Sequence, residues 1–179
     1  FVDVLEVLDD GSGPAPYAGG SFTAAGGVAA NHIARWNGSS WSAPGSRLND
    51  RVAALIVFDA AGKAGPRLRA GGLFTTAGGV AASHIAQWNG TSWSPLGSGT
   101  DGTVACFTLG AGHVLYAGGY FTRAGSAPVG RIARWNGSSW SRLLGGGASG
   151  PVLALRFFTS VSGVAPDLYA AGSFEGFIN

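Results

Sequence analysis

Tyr17-Ala18-Gly19-Gly20-Ser21-Phe22-Thr23, followed by Ile33-Ala34-Arg35-Trp36-Asn37-Gly38-Ser39-Ser40-Trp41, decides the fold, because the chain repeats both blocks. The first returns as Arg69-Ala70-Gly71-Gly72-Leu73-Phe74-Thr75 and as Tyr116-Ala117-Gly118-Gly119-Tyr120-Phe121-Thr122. It recurs in altered form as Tyr169-Ala170-Ala171-Gly172-Ser173-Phe174-Glu175. The second block returns twice, giving the tryptophan pairs Trp36/Trp41, Trp88/Trp93 and Trp135/Trp140. The period is 52 residues and then 47. Self-similarity at such a period marks units that cannot bury their own faces alone and must stack on neighbours.

Each unit reads as four short strands. Strand A is the apolar run Val52-Ala53-Ala54-Leu55-Ile56-Val57-Phe58, with counterparts starting at Val2, Val104 and Val152. Strand B ends in the Gly-Gly block, strand C is Ile-Ala-Arg/Gln-Trp, and strand D opens at the second Trp. Alternating apolar, β-branched and aromatic residues favour strands, and no helical period is present. Asn37-Gly38, Asn89-Gly90 and Asn136-Gly137 link C to D, and Asn-Gly predicts a type I′ hairpin turn. The doublet-to-Trp distance is 17 residues in all three full units, whereas the A-to-B distance is 15, 17, 12 and 17. The A–B hairpin is therefore expected to be an exposed, variable loop. The constant B–C link, small and apolar, is expected to pack as a corner.

A four-stranded unit of this length is the sequence sign of a β-propeller blade. The expectation is an all-β propeller of four-stranded antiparallel blades in one repeat domain. The blades fall at residues 1–50, 51–102 and 103–150, with a partial fourth at 151–179. The Gly-Gly doublet and spaced aromatics resemble the kelch repeat. The wording Leu-Tyr-Ala-Gly-Gly-x-Phe-Thr with Ile-Ala-Arg-Trp-Asn-Gly-Ser-Ser-Trp is similar to repeats of fungal cortical cell-polarity marker proteins and of repeat-rich bacterial secreted or surface proteins. That resemblance implies a tandem-repeat scaffold at the cell surface or outside the cell. Strands A and B occur four times and C and D three times, so the ring is read as open. A fragment, a processed piece and a protomer completed by other copies are all consistent with this.

Composition narrows the function classes. Of 179 residues 46% are apolar and 11% charged, with 32 Gly and 6 Trp. Eleven scattered Lys and Arg against nine Asp and Glu lack the clustered cations that nucleic acid requires. No apolar run reaches the ~18 residues of a transmembrane helix. The single Cys106 excludes an internal disulfide and is expected to be an inert buried thiol on strand A.

Candidate ligand-binding residues lie in the loops. His32, His84 and Arg131 hold equivalent places before strand C. Asn49, Asp50, Asp101 and Ser149 fall in the D–A links, where they have the chemistry to bind a cation or a sugar hydroxyl and are also ordinary turn residues. His32, His84 and His113 show no zinc spacing, and no metal or cofactor is expected. Asp9-Asp10-Gly11-Ser12-Gly13 lacks the further carboxylates of a calcium loop and reads as an A–B turn. Asn-Gly-Ser/Thr at 37, 89 and 136 matches the N-glycosylation pattern, although the turn itself demands Asn-Gly. Gly19, Gly20, Gly71, Gly72, Gly118 and Gly119, with the six tryptophans, are read as structural. Sugar-stacking platforms are the alternative for the tryptophans.

No Gly-x-Ser-x-Gly, His-Glu-x-x-His or phosphate loop is present, and only two Glu occur, so no enzyme is expected. The functional expectation is a binding or structural module that displays loops to a protein or glycan partner and self-assembles through its incomplete blade. A propeller lectin with one site per blade and an accessory propeller of a larger secreted enzyme are the alternatives.

Overall fold

A computed structural model describes residues 1–59, 65–158 and 166–178. The first blade contains β1 (Val2–Asp9), β2 (Pro14–Gly20), the corner hairpin β3 (Ala24–Ala25) and β4 (Val28–Ala29), then β5 (Ile33–Trp36) and β6 (Trp41–Ser42). The second repeats this with β7 (Val52–Phe58), β8 (Arg67–Gly72), β9 (Thr76–Ala77), β10 (Val80–Ala81), β11 (Ile85–Trp88) and β12 (Trp93–Pro95). The third has β13 (Val104–Gly110), β14 (Val114–Gly119), β15 (Arg123–Ala124), β16 (Ala127–Pro128), β17 (Ile132–Trp135) and β18 (Trp140–Arg142). β19 (Gly147–Ala148), β20 (Val152–Phe158), β21 (Asp167–Gly172) and β22 (Phe177–Ile178) complete the described elements. Three antiparallel four-stranded sheets result, each in A-B-C-D order, with β20–β21 as a two-stranded fourth. The A strands stack in succession, β1 on β7, β7 on β13 and β13 on β20, in a propeller-like arrangement whose ring is not closed.

The core lies between blades. One cluster joins Leu8, Tyr17 and Ile33 of the first blade to Val52, Leu55 and Leu68 of the second. Another joins Phe58 and Ile85 to Val104 and Leu115, and a third joins Ile132 to Val152 and Leu155. Each fully buried Leu, Ile or Val contributes about 1.5–3 kcal/mol relative to exposure. Leu5 shows what is lost without a neighbour, since it is 65% exposed while its counterpart Leu55 is 6% exposed.

The glycine doublets set how closely the sheets approach. A Cβ on Gly71 would stand 2.6 Å from Val104 Cγ1 of the next A strand, and one on Gly72 would stand 2.1 Å from the Arg51 carbonyl oxygen of its own blade. Gly19 and Gly20 meet Val52 and Phe1 in the same way, and Gly118 and Gly119 meet Val152 and Thr103. The first Gly therefore admits the next blade and the second admits the start of the blade's own A strand. At that start every A strand carries a register shift, between Val2 and Val4, Val52 and Ala54, Val104 and Cys106, and Val152 and Ala154. A bulge of this kind bends the strand and re-aims the extra side chain.

The C–D turn differs from the type I′ expectation. Only the glycines, Gly38, Gly90 and Gly137, have positive φ (99°, 97° and 100°), whereas type I′ requires it at two residues. The Asn side chain takes over the closure instead. Asn37 Oδ1 accepts from the N–H groups of Ser39 (3.0 Å) and Ser40 (2.8 Å), and Asn89 and Asn136 do the same in their turns. The Asn of each Asn-Gly-Ser/Thr pattern thus has a turn-closing role through Oδ1. Trp88, Trp93, Trp135 and Trp140 are buried at 4–7% exposure and form tilted pairs with centroids 5.2–5.3 Å apart. They are blade core, with no exposed face for stacking a sugar.

Candidate functional site

Three surfaces bring candidate residues together, and the first is the face carrying the B–C corners. His32, His84 and Arg131 each adopt the left-handed backbone conformation, with φ of 66°, 62° and 62°. Each reverses the chain between the corner and strand C, and its carbonyl accepts from the second doublet glycine, as His84 does from Gly72 N–H at 3.1 Å. Their side chains reach back to the corner: Arg131 Nη1 donates to the Tyr120 carbonyl at 2.8 Å, and His32 Nδ1 lies 3.3 Å from the Gly20 carbonyl oxygen. His84 Nδ1 is buried without a hydrogen-bond partner. The three side chains belong to three successive corners, and among the described residues no group of three His, Cys, Asp or Glu is placed to hold a metal.

Asn49, Asp101 and Ser149 have a shared structural task that sequence reasoning missed. Asn49 Oδ1 accepts from the Thr75 and Thr76 N–H groups, both at 2.9 Å, in the corner of the next blade. Asp101 Oδ1 accepts from Thr122 N–H (2.7 Å) and Arg123 N–H (2.8 Å), again one blade on. Ser149 Oγ accepts from Glu175 N–H (3.2 Å) and Gly176 N–H (3.3 Å). Each D–A connector is thereby clasped to the following blade. Burial works against ionisation of Asp101, but the Thr122 hydroxyl and the two N–H donors prevail and hold its carboxyl below the usual range. Asp50 lies outside the clasp, and its Oδ1 accepts from the adjacent Arg51 N–H at 2.6 Å. The signal in the sequence was the constant distance of three residues from Asn49, Asp101 and Ser149 to Val52, Val104 and Val152.

The second surface is an axial recess of about 530 Å³ at the bulged ends of the A strands, lined by Asp3, Ala53, Ala105 and Leu153 with Arg51 and Tyr120. Arg51 Nε donates to Asp3 Oδ2 at 2.8 Å, and this bond favours the charged guanidinium. The third is a groove of about 610 Å³ between the first and second blades on the opposite face, lined by Asp10, Ser12, Tyr17, Arg35, Trp88 and Thr91 among others. There Tyr17 donates its hydroxyl to Asp10 Oδ2 (3.2 Å), Ser12 Oγ donates to Asp10 Oδ1 (2.5 Å), and Arg35 Nη2 donates to Ser12 Oγ (2.6 Å). The Ser12 bonds, helped by Arg35, hold the Asp10 carboxyl low, while burial and the neighbouring Asp10 push the Tyr17 phenol up. In the sequence Asp10 and Ser12 stand out only as turn residues, because their partners Tyr17 and Arg35 come from other strands. Cys106 is partly buried as expected on strand A, and burial pushes its thiol up to about 12, which leaves it unreactive near neutrality. No helix among the described residues is long and apolar enough to cross a membrane.

No protein-family model, curated protein or solved structure matches the chain.

Proposed function

We propose that the chain is a non-catalytic, kelch-like binding or structural module that displays A–B and C–D loops on a rigid stack of blades to a protein or glycan partner, in a secreted or cell-surface setting. The observation that carries this reading is a contrast between the two faces. On the corner face Asn49, Asp101 and Ser149 are engaged in clasps between blades, and His32 and Arg131 reach back onto their own blades. On the other face the groove beside the first A–B hairpin joins that hairpin's own Asp10 and Ser12 to the repeat residues Tyr17 and Arg35. In the sequence the A–B links differ from unit to unit, those of the second and fourth units lying largely outside the described residues. Loops that vary on an invariant scaffold are the usual carriers of recognition. Weak contacts repeated around an arc gain strength by multivalency.

The test is a glycan array and a protein array probed with the chain and with a Ser12→Arg, Thr91→Arg variant, both sites being exposed at the groove. The expected result is binding to a defined probe that falls more than tenfold in the variant with an unchanged melting temperature. Binding that survives the double substitution, or turnover of a probe, contradicts the reading.

A further inference from the structure

The clasp obeys a spacing that is repeated three times and answered by a corner that receives nothing. In the second blade, Trp93 Nε1 donates to the Pro44 carbonyl at 2.8 Å. Gly45 follows at φ 67°, where a Cβ would stand 2.6 Å from Trp88 Cζ3. Leu48 then bridges to Ala77, and Asn49 caps Thr75 and Thr76. In the third blade Trp140 Nε1 donates to the Leu96 carbonyl at 3.1 Å, Gly97 at φ 62° packs on Trp135, Thr100 bridges to Ala124, and Asp101 caps Thr122 and Arg123. The third connector keeps only the end of this order, with Ala148 paired to Phe177 and Ser149 capping Glu175 and Gly176, while Leu144 is 91% exposed and nothing among the described residues packs on Gly145. The pattern of the two full copies is a residue whose carbonyl accepts from the tryptophan N–H, then Gly, two spacers, Leu or Thr, and Asn or Asp; the third copy keeps the last two places as Ala148 and Ser149.

The first blade carries the whole receiving set. Ala24-Ala25-Gly26 stands where Thr76-Ala77-Gly78 and Arg123-Ala124-Gly125 stand, and Trp36/Trp41 form the same tilted pair at 5.4 Å. Gly78 N–H donates to the Arg47 carbonyl and Gly125 N–H to the Gly99 carbonyl, both in the docked connectors. Among the described residues no connector residue meets Gly26 N–H, no carbonyl meets Trp41 Nε1, and no side chain caps Thr23 and Ala24. Phe22 is half-buried where Phe74 and Phe121 are fully buried. Beside it lies an apolar recess of about 260 Å³ bounded by Phe1, Ala18, Phe22, Ala25 and Trp41.

We infer that the first-blade corner and its tryptophan pair form a preformed docking site for an extended protein segment bearing this connector pattern. The segment's first carbonyl would accept from Trp41 Nε1, its Gly would lie against Trp36, and its terminal Asn, Asp or Ser would cap Thr23 and Ala24. The inference is independent of which partner the loops on the opposite face bind.

The test appends Ser-Ala-Pro-Gly-Ser-Arg-Leu-Asn-Asp, the sequence of residues 42–50, directly before Phe1 of the full chain, which holds the segment at high effective concentration beside the corner. A control extension replaces its Gly, Leu and Asn by Ala. Residue-resolved amide exchange and tryptophan emission are compared with the unextended chain. The expected result is at least tenfold slower exchange at Thr23 and Ala24 and a blue-shifted emission that a Trp41→Phe variant no longer shows. Both changes should be absent with the control extension. Exchange at Thr23 and Ala24 equal in all three chains overturns the inference. So does protection that arises in the unextended chain on raising its concentration alone, which would assign the corner to a second copy.

Discussion

At the scale of single residues, the glycines and the aromatic pairs decide how near two sheets come. Gly71 lies on a strand, where Ala would ordinarily be favoured by about 0.5–1 kcal/mol. Here the added methyl meets Val104 Cγ1 at 2.6 Å and Phe107 Cζ at 2.8 Å. Overpacking a filled site costs about 1–3 kcal/mol, so the contact outweighs the backbone preference. Gly71→Ala is therefore expected to lower the melting temperature by roughly 2–4 °C, for a net loss of about 1 kcal/mol. The fourth unit supplies an internal comparison, because Ala171 occupies the corresponding place and is exposed. Ala171→Gly should cost about 0.5–1 kcal/mol, the ordinary penalty of Gly in a strand. Thermal unfolding of the two variants checks both signs, and a Gly71→Ala protein as stable as the parent would contradict the packing argument.

At the scale of elements, the D–A connector is the part that joins one blade to the next. Its cap is Asn, Asp or Ser in the three copies, so a neutral acceptor suffices. Asp101→Asn keeps the Oδ1 acceptor for Thr122 and Arg123 and is expected to change stability at pH 7 by less than about 0.5 kcal/mol. Asp101→Ala removes it and should cost about 1 kcal/mol, the ordinary worth of a cap of this kind. The pH dependence follows from the lowered Asp101 carboxyl. A carboxyl held below its unfolded value stabilises the fold fully above about pH 4, and this contribution is lost as the pH falls through the folded value. Asp101→Asn should therefore flatten the loss of stability in acid, measured by denaturant unfolding between pH 2 and 7. Asp10, also held low, keeps part of the slope. The strands, C–D hairpins and corners were readable from the sequence because each repeats its pattern with little change in spacing. The clasp was not, since Asn49, Asp101 and Ser149 differ in type and act on residues 21 to 27 positions later. The Asn-Gly turn misled for a related reason, as the Asn side chain supplies a closure that the dipeptide alone does not reveal.

At the scale of the whole molecule, stability is shared between neighbours, as in other stacked repeats. The three core clusters each span two successive blades, so a blade without a neighbour leaves its apolar face open, as Leu5 and Val7 show. On the corner face the connectors hold successive blades together, and the proposed recognition surface lies on the other. That division rests on the connector clasp, and residue-resolved amide exchange of the unmodified chain tests it most directly. The amides of Thr75, Thr76, Thr122 and Arg123 are predicted to exchange at least tenfold more slowly, relative to their intrinsic rates, than those of Thr23 and Ala24. Equal protection at all three corners would contradict the clasp and the arrangement of blades built on it.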